Sequence, residues 1–491
     1  MTSHPILTCA AAGRLEAKRF GGDEAQEWPA MQQAGGAVAA AVRQDFQEIG
    51  GLPPAGRVLV LVGKGHNGGD ALLAAADLAT AFPALRVSVV FAFGERVLRP
   101  LAQRAYRALA QAAGGRLAVL APESVEGAWD LCLDGVFGFS FRPPAGPEVT
   151  TLLERVNALP IRLRAAVDLP SAGRFRADFT YATGSVKEPV LADPHAGRLR
   201  YLDLGFFTGK EAGRDRVLAN GLLAPLAGLR PAASDKRSQG HVLVLGGSRS
   251  YPGAVLMTVL AALRSGAGLV TALVPETLAP AFAARAPEAM WVGWPETPDG
   301  SLALEGRHLL QARLARAQAL VIGPGLGREA ETLALVAEIV RTVSLPVLLD
   351  ADALQPELVK TAKAPLVLTP HAGEFARIAG KTGLREFARR HHATVVLKGP
   401  VTRVSDGAAV YHSFRGGPVL ARGGSGDLLA GLIGGLLAQT PSDPLLAACR
   451  GMVWHGIAAD LLARAFGQTA VQTTQLLDFL AAALRESADE P

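Results

Sequence analysis

The stretch GGSGDLLAGLIGG, residues 423–435, joins a glycine-rich loop to an apolar segment with the composition of a buried helix. Glycines at 423, 424 and 426 permit positive φ, so their N–H groups can converge on an anion at a helix N-terminus. A Walker loop would follow such glycines with a lysine. The chain contains neither GxxxxGKS nor GxxxxGKT, which excludes P-loop chemistry.

The charged residue of this loop is Asp427, and its position allows two interpretations. An aspartate in the first turn of a helix can simply interact favourably with the helix dipole. A carboxylate beside a bound phosphate can also accept the proton of a substrate hydroxyl as that oxygen attacks. The second interpretation predicts that Asp427 faces the hydroxyl while the neighbouring amides face the phosphate.

The loop belongs to a chain of 491 residues, and this length predicts two or three domains of roughly 100 to 200 residues each. The composition is 49% hydrophobic and 19% charged, as in compact enzymes. The net charge is +5 with no basic run, so we expect no nucleic-acid partner. The three cysteines lack CxxC spacing, which argues against a disulfide framework or zinc site and predicts a cytoplasmic protein.

No membrane association is expected from the sequence. The first 20 residues lack a basic start, and their short apolar run is followed at once by charges, unlike a signal peptide. The longest apolar stretch, Leu428 to Ala438, falls well short of the roughly 20 residues that cross a bilayer.

Short aliphatic runs alternate with Ala-rich helical patterns along the whole chain. Examples are RVLVLVG at 57–63, HVLVLGG at 241–247 and ALVIGPG at 319–325. Strands buried on both faces and separated by helices predict parallel sheets covered by helices. Residues 201–234 lose this pattern and are rich in Gly and Pro, so we place the domain boundary there, with domains at 1–215 and 225–488.

Seven motifs of the second domain occur in an order that identifies a family. They are HVLVLGGSRSYPGAVLMTVLAALRSGAGLVT (241–271), PEAM (287–290), GPGLG (323–327), LLDADAL (348–354), TPHAGEF (369–375), KGPVT (398–402) and the GGSGD loop. The loop resembles the anion hole of the ribokinase-like superfamily. The full set resembles the ADP/ATP-dependent NAD(P)H-hydrate dehydratases over nearly all of residues 236–440, which implies a ribokinase-like α/β domain.

This resemblance assigns roles to single residues. It implies that Ala254, Gly325, His371 and Asp427 face the hydrated dinucleotide. The nucleotide would be lined by Gly426 and by Lys398, Gly399, Pro400, Val401 and Thr402. Without the resemblance, the glycines of GPGLG could form a structural turn, His371 could be a packed or surface histidine, and KGPVT could be a surface hairpin.

The family's chemistry follows from hydroxide being a poor leaving group. The resemblance implies transfer of the terminal phosphoryl of ADP, or of ATP in some relatives, onto the C6 hydroxyl, after which phosphate leaves and NAD(P)H re-forms. Magnesium would neutralise the polyphosphate. The acidic residues Asp350, Asp352 and Glu374 are either its ligands or structural.

The first domain contains a literal GxGxxG, formed by Gly63, Gly65 and Gly68 between a strand and a helix. This pattern is typical of an NAD-binding Rossmann turn. The acidic residue expected about 20 positions later is missing, since LRVSVVFAFG at 85–94 offers only Ser88. A dehydrogenase is therefore disfavoured.

The same loop, GHNGGDALLAA (65–75), together with MQQAGGAVA (31–39), DGVFGFS (134–140) and AVDLPS (166–171), resembles the YjeF N-terminal type NAD(P)H-hydrate epimerases over most of residues 5–206. The resemblance implies a Rossmann-like three-layer domain that inverts C6 of the hydrates of NADH and NADPH. Asp168 would lie beside the substrate as acid/base. The other implied hydrate-binding residues are His66, Asn67, Gly68, Gly69, Asp70, Gly138, Phe139, Ser140, Phe141, Arg142, Pro143 and Pro144.

The resemblance also implies a potassium ion held by Asn67, Asp134 and Ser171, and such hard cations prefer oxygen ligands. From the residues alone, Asp70, Asp134 and Asp168 could instead cap helices or turns, and Ser171 could be a turn hydroxyl.

Three departures from the family's pattern predict slow epimerisation. His66 replaces an Asn, FGFS stands where a GTG-like turn is usual, and Ala172 replaces a Gly. The family also implies a homo-oligomer through the second domain. The rival hypotheses are a small-molecule kinase and a first domain that binds nucleotide without catalysis.

Overall fold

The structure is a computed structural model that describes residues 2–209 and 211–489. It divides into two compact units. One contains His4–Gly213 with Ala463–Gly467, and the other contains Arg214–Leu462 with most of the remaining residues. We call them the N-terminal and C-terminal units. The chain passes from the N-terminal unit to the C-terminal unit after Gly213.

The N-terminal part of the chain alternates strands and helices. Its elements are β1 (Ser3–Pro5), α1 (Cys9–Phe20), α2 (Glu24–Phe46), β2 (Arg57–Val62), α3 (His66–Ala81), β3 (Arg86–Phe91), α4 (Pro100–Ala113), β4 (Leu117–Val119), β5 (Trp129–Gly135), α5 (Pro147–Ala158), β6 (Ile161–Val167), β7 (Phe179–Thr183) and β8 (Arg198–Leu202). Seven strands form a parallel sheet in the order β4-β3-β2-β5-β6-β7-β8.

Strand β2 shows why this unit has three layers. Val58, Val60 and Val62 pack into one core with α2, α3 and α4, whereas Leu59 and Leu61 pack into a second core with α5. Successive side chains of a strand point to opposite faces, so an all-aliphatic strand requires helices on both sides of the sheet. The predicted Rossmann-like three-layer fold is confirmed.

The turn from β2 to α3 depends on close backbone packing at Gly63. A Cβ on Gly63 would lie 1.9 Å from the carbonyl oxygen of Val136. This glycine therefore lets the end of β2 meet the chain that follows β5, which brings two predicted site loops together.

The C-terminal part of the chain has the second set of elements. They are β9 (Asp215–Leu218), α6 (Ala224–Ala227), β10 (His241–Leu245), α7 (Pro252–Arg264), β11 (Leu269–Pro275), α8 (Ala279–Arg285), β12 (Met290–Trp294), α9 (Arg307–Leu314), β13 (Ala319–Ile322), α10 (Ala330–Thr342), β14 (Val347–Leu349), α11 (Pro356–Thr361), β15 (Leu366–Leu368), α12 (Ala372–Ala379), α13 (Leu384–His391), β16 (Ala393–Leu397), β17 (Thr402–Ser405), β18 (Val410–Ser413), α14 (Ser425–Gln439), α15 (Pro444–Phe466) and α16 (Leu476–Asp489).

Ten consecutive strands of the second sheet run in the order β9-β18-β17-β16-β15-β14-β13-β10-β11-β12. The strands from β16 to β12 are all parallel, and β17 is antiparallel to both of its neighbours. The chain builds outward from β10 to β12 on one side and from β13 to β16 on the other. This reversal is a topological switch point, where open α/β sheets bind ligands at the carboxyl ends of their strands. The predicted ribokinase-like α/β class is confirmed.

Helix α14 is the core helix of this unit, with every residue from Leu428 to Ala438 buried. A Cβ on Gly434 would lie 2.3 Å from Val321 Cγ2, so the glycine lets the helix approach β13 closely. Among the described residues, α15 is long and apolar enough to cross a bilayer, but 78% of its apolar window is buried inside the protein. Such burial is typical of a core helix.

Candidate functional site

The N-terminal unit contains a cavity of about 780 Å³, a size usual for small-molecule sites. The predicted residues that line it are His66, Asn67, Asp70, Gly138, Phe139, Ser140, Phe141, Arg142, Pro144 and Asp168. Gly68, Gly69 and Pro143 are not among the lining residues. Gly68 and Gly69 pack inward, because a Cβ there would lie 2.5 Å from Gly63 O and 2.7 Å from Met31 Sδ, respectively.

A buried ion pair lies in this cavity. Lys187 Nζ is 2.5 Å from Asp168 Oδ1, and it also donates a hydrogen bond to Thr183 O at 3.1 Å. Both side chains are almost fully buried. Asp168 has a φ of 67°, a left-handed conformation that costs a non-glycine residue about 1–2 kcal/mol. Such strain is most common at functional sites. Lys187 was missed by the sequence analysis because it lies in no recognised motif.

Two more carboxyl groups, Glu16 on α1 and Asp70 on α3, line the same cavity. Burial raises the pKa of Glu16 to about 7. Burial also raises the pKa of Asp70 well above its usual value, and the nearby Asp168 and Glu16 add to this effect. Near neutral pH, Asp70 therefore favours its protonated form and Glu16 exchanges between its protonated and ionised forms, both close to the ion pair.

The three predicted potassium ligands are linked by hydrogen bonds, in part through the backbone of Phe137. Ser171 Oγ donates to Asp134 Oδ1 at 2.6 Å and accepts a hydrogen bond from Phe137 N at 2.9 Å. Asn67 Nδ2 donates to Phe137 O at 2.9 Å, which leaves its side-chain oxygen for another partner. The cluster is rich in oxygen atoms, as a hard cation requires.

Asp134 supports the fit of a cation at this cluster. The side chain is fully buried, and burial raises its pKa to about 6, while hydrogen bonds from Ser171 and Val136 lower it. Within the described part of the chain, no cationic side chain contributes to this balance. A bound monovalent cation would supply the charge that a buried carboxylate lacks.

In the C-terminal unit, Asp427 lies in the first turn of α14. The helix is preceded by Gly424, which has a φ of 90°. The expectation that Gly423 and Gly426 also adopt positive φ is wrong. Gly426 already belongs to the helix and Gly423 to the preceding turn, so one left-handed residue is enough to start α14.

Asp427 is connected to the beginning of α7 through Thr258. Thr258 Oγ1 lies 3.1 Å from both Asp427 O and Ala254 O. A Cβ on Gly325, which has a φ of 66°, would lie 3.2 Å from the Cβ of Ala254. The structure therefore brings together Ala254, Gly325 and Asp427, three of the four residues predicted to face the hydrate.

The fourth, His371, caps helix α12. Its Nδ1 accepts hydrogen bonds from Gly373 N at 3.0 Å and Glu374 N at 3.3 Å. Its side chain is 61% exposed. Nδ1 thus fixes the ring, and Nε2 lies 3.5 Å from Glu374 Oε1.

Lys398 reaches back from the β16–β17 hairpin towards α14. Its Nζ lies 3.0 Å from Asp350 Oδ1, and a Cβ on Gly426 would lie 3.1 Å from the same Nζ. Burial alone would lower the pKa of Lys398, but Asp350, Glu374 and Asp427 raise it. KGPVT is therefore a hairpin turn whose lysine faces inward, while Gly399 and Pro400 are exposed.

The environment of Asp427 suits a general base. Burial raises its pKa to about 6, helped by Asp350 and Glu374 and opposed by Lys398. A base with a pKa near the working pH is ionised and still basic enough to take a proton.

The acidic residues considered as magnesium ligands have other partners. Asp350 accepts hydrogen bonds from Lys398 and Thr369, Asp352 pairs with Arg328 at 2.8 Å, and Glu374 accepts from His371 N at 2.8 Å. Within residues 2–209 and 211–489, no three His, Cys, Asp or Glu side chains gather as a metal site. Among the described residues, these carboxylates therefore form no all-protein cage for magnesium.

Comparisons with known proteins cover both units. Residues 242–481 match the family model described as NAD(P)H-hydrate dehydratase, and residues 29–187 match that of the YjeF-related protein N-terminus. The bifunctional NAD(P)H-hydrate repair enzyme Nnr of Gloeobacter violaceus is 38% identical over 93% of each chain. The enzyme of the same name from Moorella thermoacetica is 34% identical over 99% of this chain and 97% of its own.

Two solved structures cover part of this chain. A ribokinase-like superfamily protein from Enterococcus faecalis is 28% identical, covers 57% of this chain and 99% of its own, and gives a TM-score of 0.48. The ADP/ATP-dependent NAD(P)H-hydrate dehydratase of Bacillus subtilis, co-crystallised with ATP and magnesium, is 30% identical over 53% of this chain and 94% of its own, with a TM-score of 0.46.

Proposed function

This chain belongs to the family of bifunctional NAD(P)H-hydrate repair enzymes, and from that premise we propose how its residues divide the work. The enzyme repairs hydrated NAD(P)H. Its N-terminal half interconverts the R and S hydrates, and its C-terminal half uses ADP to convert the S hydrate to NAD(P)H, with release of AMP and phosphate.

Asp427 is the general base of the dehydration. It accepts the proton of the C6 hydroxyl as that oxygen attacks the terminal phosphorus of ADP, and the bond from that phosphorus to the AMP oxygen breaks. The phosphate then leaves C6 with the C6–O electron pair, and loss of a proton from C5 restores the double bond. The link from the Asp427 backbone through Thr258 to Ala254, which lies next to Gly325, supports this role together with the raised pKa of the Asp427 carboxyl group.

The first turn of α14 and Lys398 bind the transferred phosphoryl group. Free N–H groups at a helix N-terminus attract anions, and the Lys398 ammonium beside Gly426 adds a full positive charge. Asp350 fixes that ammonium at 3.0 Å. The remaining residues of KGPVT line the nucleotide from the hairpin.

The observation that carries this proposal is the half-buried Asp427 carboxylate at the start of α14, beside Lys398. The experiment is to supply the S hydrate and ADP and to follow absorbance at the reduced nicotinamide band while assaying free phosphate. Repair yields NAD(P)H, AMP and free phosphate in equal amounts. A product that keeps the phosphate would instead establish the small-molecule kinase alternative.

In the N-terminal half, the Asp168–Lys187 pair is the centre of C6 inversion. Lys187 Nζ contacts Asp168 Oδ1 at 2.5 Å and so positions this carboxyl group to take up and return a proton. The glycine turn before α3 places helix N–H groups towards the phosphates of the dinucleotide. The residues of the 138–144 loop that line the cavity enclose the bound hydrate.

Potassium would be held by Asn67, Asp134 and Ser171 and would compensate the buried charge of Asp134. Magnesium would arrive as the counterion of the ADP polyphosphate, since the protein residues do not form a cage for it. The homo-oligomer and the cytoplasmic location stay predictions, as does the acceptance of both NADHX and NADPHX.

A further inference from the structure

The N-terminal cavity collects more carboxyl groups than the Asp168–Lys187 pair needs. Glu16 comes from α1, Asp70 from α3 and Asp168 from the end of β6, and all three line one cavity. Lys187 is in ion-pair contact with Asp168. Several negative charges buried around one lysine repel each other, so some of these carboxyl groups must carry protons.

Helix α1 directs Glu16 towards the ion pair. A Cβ on Gly13 would lie 3.6 Å from the ring of Phe139, and Lys187 Nζ lies 5.2 Å from the centre of that ring. Glu16 follows Gly13 by three residues, which places both on one helix face. Cys9, four residues before Gly13, also lies near the ion pair, because Asp168 raises the pKa of its thiol and Lys187 lowers it.

Inversion at C6 needs an acid as well as a base. C6 of the hydrate carries a hydroxyl group and the ring nitrogen N1, so it is a hemiaminal carbon. Opening the ring requires a proton to leave the hydroxyl and another to arrive at N1. Two groups with different protonation states at the same pH can perform both transfers together.

We propose that Glu16, in its protonated form, is the acid of epimerisation and acts opposite Asp168. Asp168 removes the hydroxyl proton, the C6–O bond becomes a carbonyl, and the C6–N1 bond breaks with its electron pair going to N1, which takes the proton of Glu16. Rotation about C5–C6 exposes the other face of the carbonyl. N1 then attacks that face, returns its proton to Glu16, and the oxygen regains its proton from Asp168.

The step needs no oxidant, reductant or co-substrate, since both protons return to their donors. It rests on the proposed function of the N-terminal half. The charge state of Glu16 is set by the titratable and charged groups around the cavity, which are Cys9, Glu27, Lys64, His66, Asp70, Arg99, Arg142, Asp168 and Lys187. Burial raises the pKa of Glu16, Lys187 opposes this effect and Asp168 and Glu27 add to it, so that the pKa lies at about 7.

The test uses the full chain with purified R hydrate and no ADP, and it measures conversion to the S hydrate. Glu16→Gln cannot exchange a proton, and we expect it to lower kcat by about 10²- to 10⁴-fold. Glu16→Asp keeps a shorter acid and regains part of the rate. Glu24→Gln, an exposed carboxylate on α2, is the matched control with unchanged kcat. In the wild type, kcat should fall as the pH rises above about 7, because Glu16 then loses its proton. The residual activity of Glu16→Gln should not show this fall.

Dehydration of purified S hydrate with ADP and the thermal unfolding midpoint verify that each variant is folded. If the wild type epimerises the hydrate and Glu16→Gln is equally active, the role of Glu16 is overturned but the proposed function of the N-terminal half stands. Equal losses in the Gln and Asp variants, with the same pH profile as wild type, also overturn it, because they indicate a structural role. A wild-type chain that never interconverts the hydrates overturns the proposed N-terminal function and this inference with it.

Discussion

Lys398 Nζ lies 3.0 Å from Asp350 Oδ1, at the carboxyl ends of two strands, β16 and β14, that are separated by β15. The pair fixes a positive charge beside the first turn of α14. That charge also lowers the pKa of Asp427, against the effect of burial and of Asp350. The nucleotide end of the site and the base are therefore electrostatically coupled.

Lys398→Met should slow dehydration and destabilise the C-terminal unit. Asp350 is then left buried without its cation, and because Lys398 itself is partly exposed the cost should lie at or below about 3 kcal/mol, the lower end for buried pairs. Urea unfolding and S-hydrate turnover measure both effects. The double variant Asp350→Asn/Lys398→Met should recover much of the stability but none of the rate. If Lys398→Met has the unfolding free energy and the S-hydrate turnover of the wild type, Lys398 has neither of these roles.

The pH dependence of dehydration should report Asp427. Its pKa is raised to about 6, and the carboxylate is the form that accepts a proton. The rate with S hydrate and saturating ADP should therefore be level above pH 7 and fall about tenfold per pH unit below about pH 6. A rate that stays constant from pH 5 to pH 8 would contradict the assignment.

Ala172→Gly should stabilise the N-terminal unit. Ala172 adopts a φ of 58°, which costs a residue with a Cβ about 1–2 kcal/mol relative to glycine. We expect the unfolding free energy to rise by about 1 kcal/mol, and epimerisation to quicken as the turn after Ser171 relaxes. Ala177→Gly, at a residue without positive φ, is the control and should lower stability. A loss of stability in Ala172→Gly would show that the turn is not strained.

Potassium should stabilise the N-terminal unit when it replaces choline at equal ionic strength. A ligand that binds the folded state at 100 times its Kd adds about 2.7 kcal/mol. The readout is the unfolding midpoint of this unit. Asp134→Asn should abolish the potassium-dependent rise, whereas the same variant should keep full dehydration. A midpoint that is identical in both salts would exclude the proposed ion.

The sequence predicted the parts of both sites that lie within continuous motifs. The glycine loop before α14 and the β2–α3 turn are local features, because a strand end, a glycine and a helix start follow one another along the chain. The fold class followed from the same alternation of strands and helices.

Residues that meet only through the fold were harder to predict. Glu16 is distant in sequence from Asp168, and neither Glu16 nor Lys187 lies in a recognised motif, yet all three line one cavity. The capping role of His371 and the inward direction of Lys398 depend on side-chain hydrogen bonds that a residue pattern does not contain.

The most direct test of the account is the turnover of S hydrate by Asp427→Asn. Asparagine keeps the shape of the side chain but cannot accept the hydroxyl proton, so ADP should bind as in wild type while dehydration falls by about two to four orders of magnitude. Asp299→Asn, an exposed aspartate in the same unit, is the control and should be fully active. Wild-type turnover by Asp427→Asn, with ADP bound normally, would contradict the central claim.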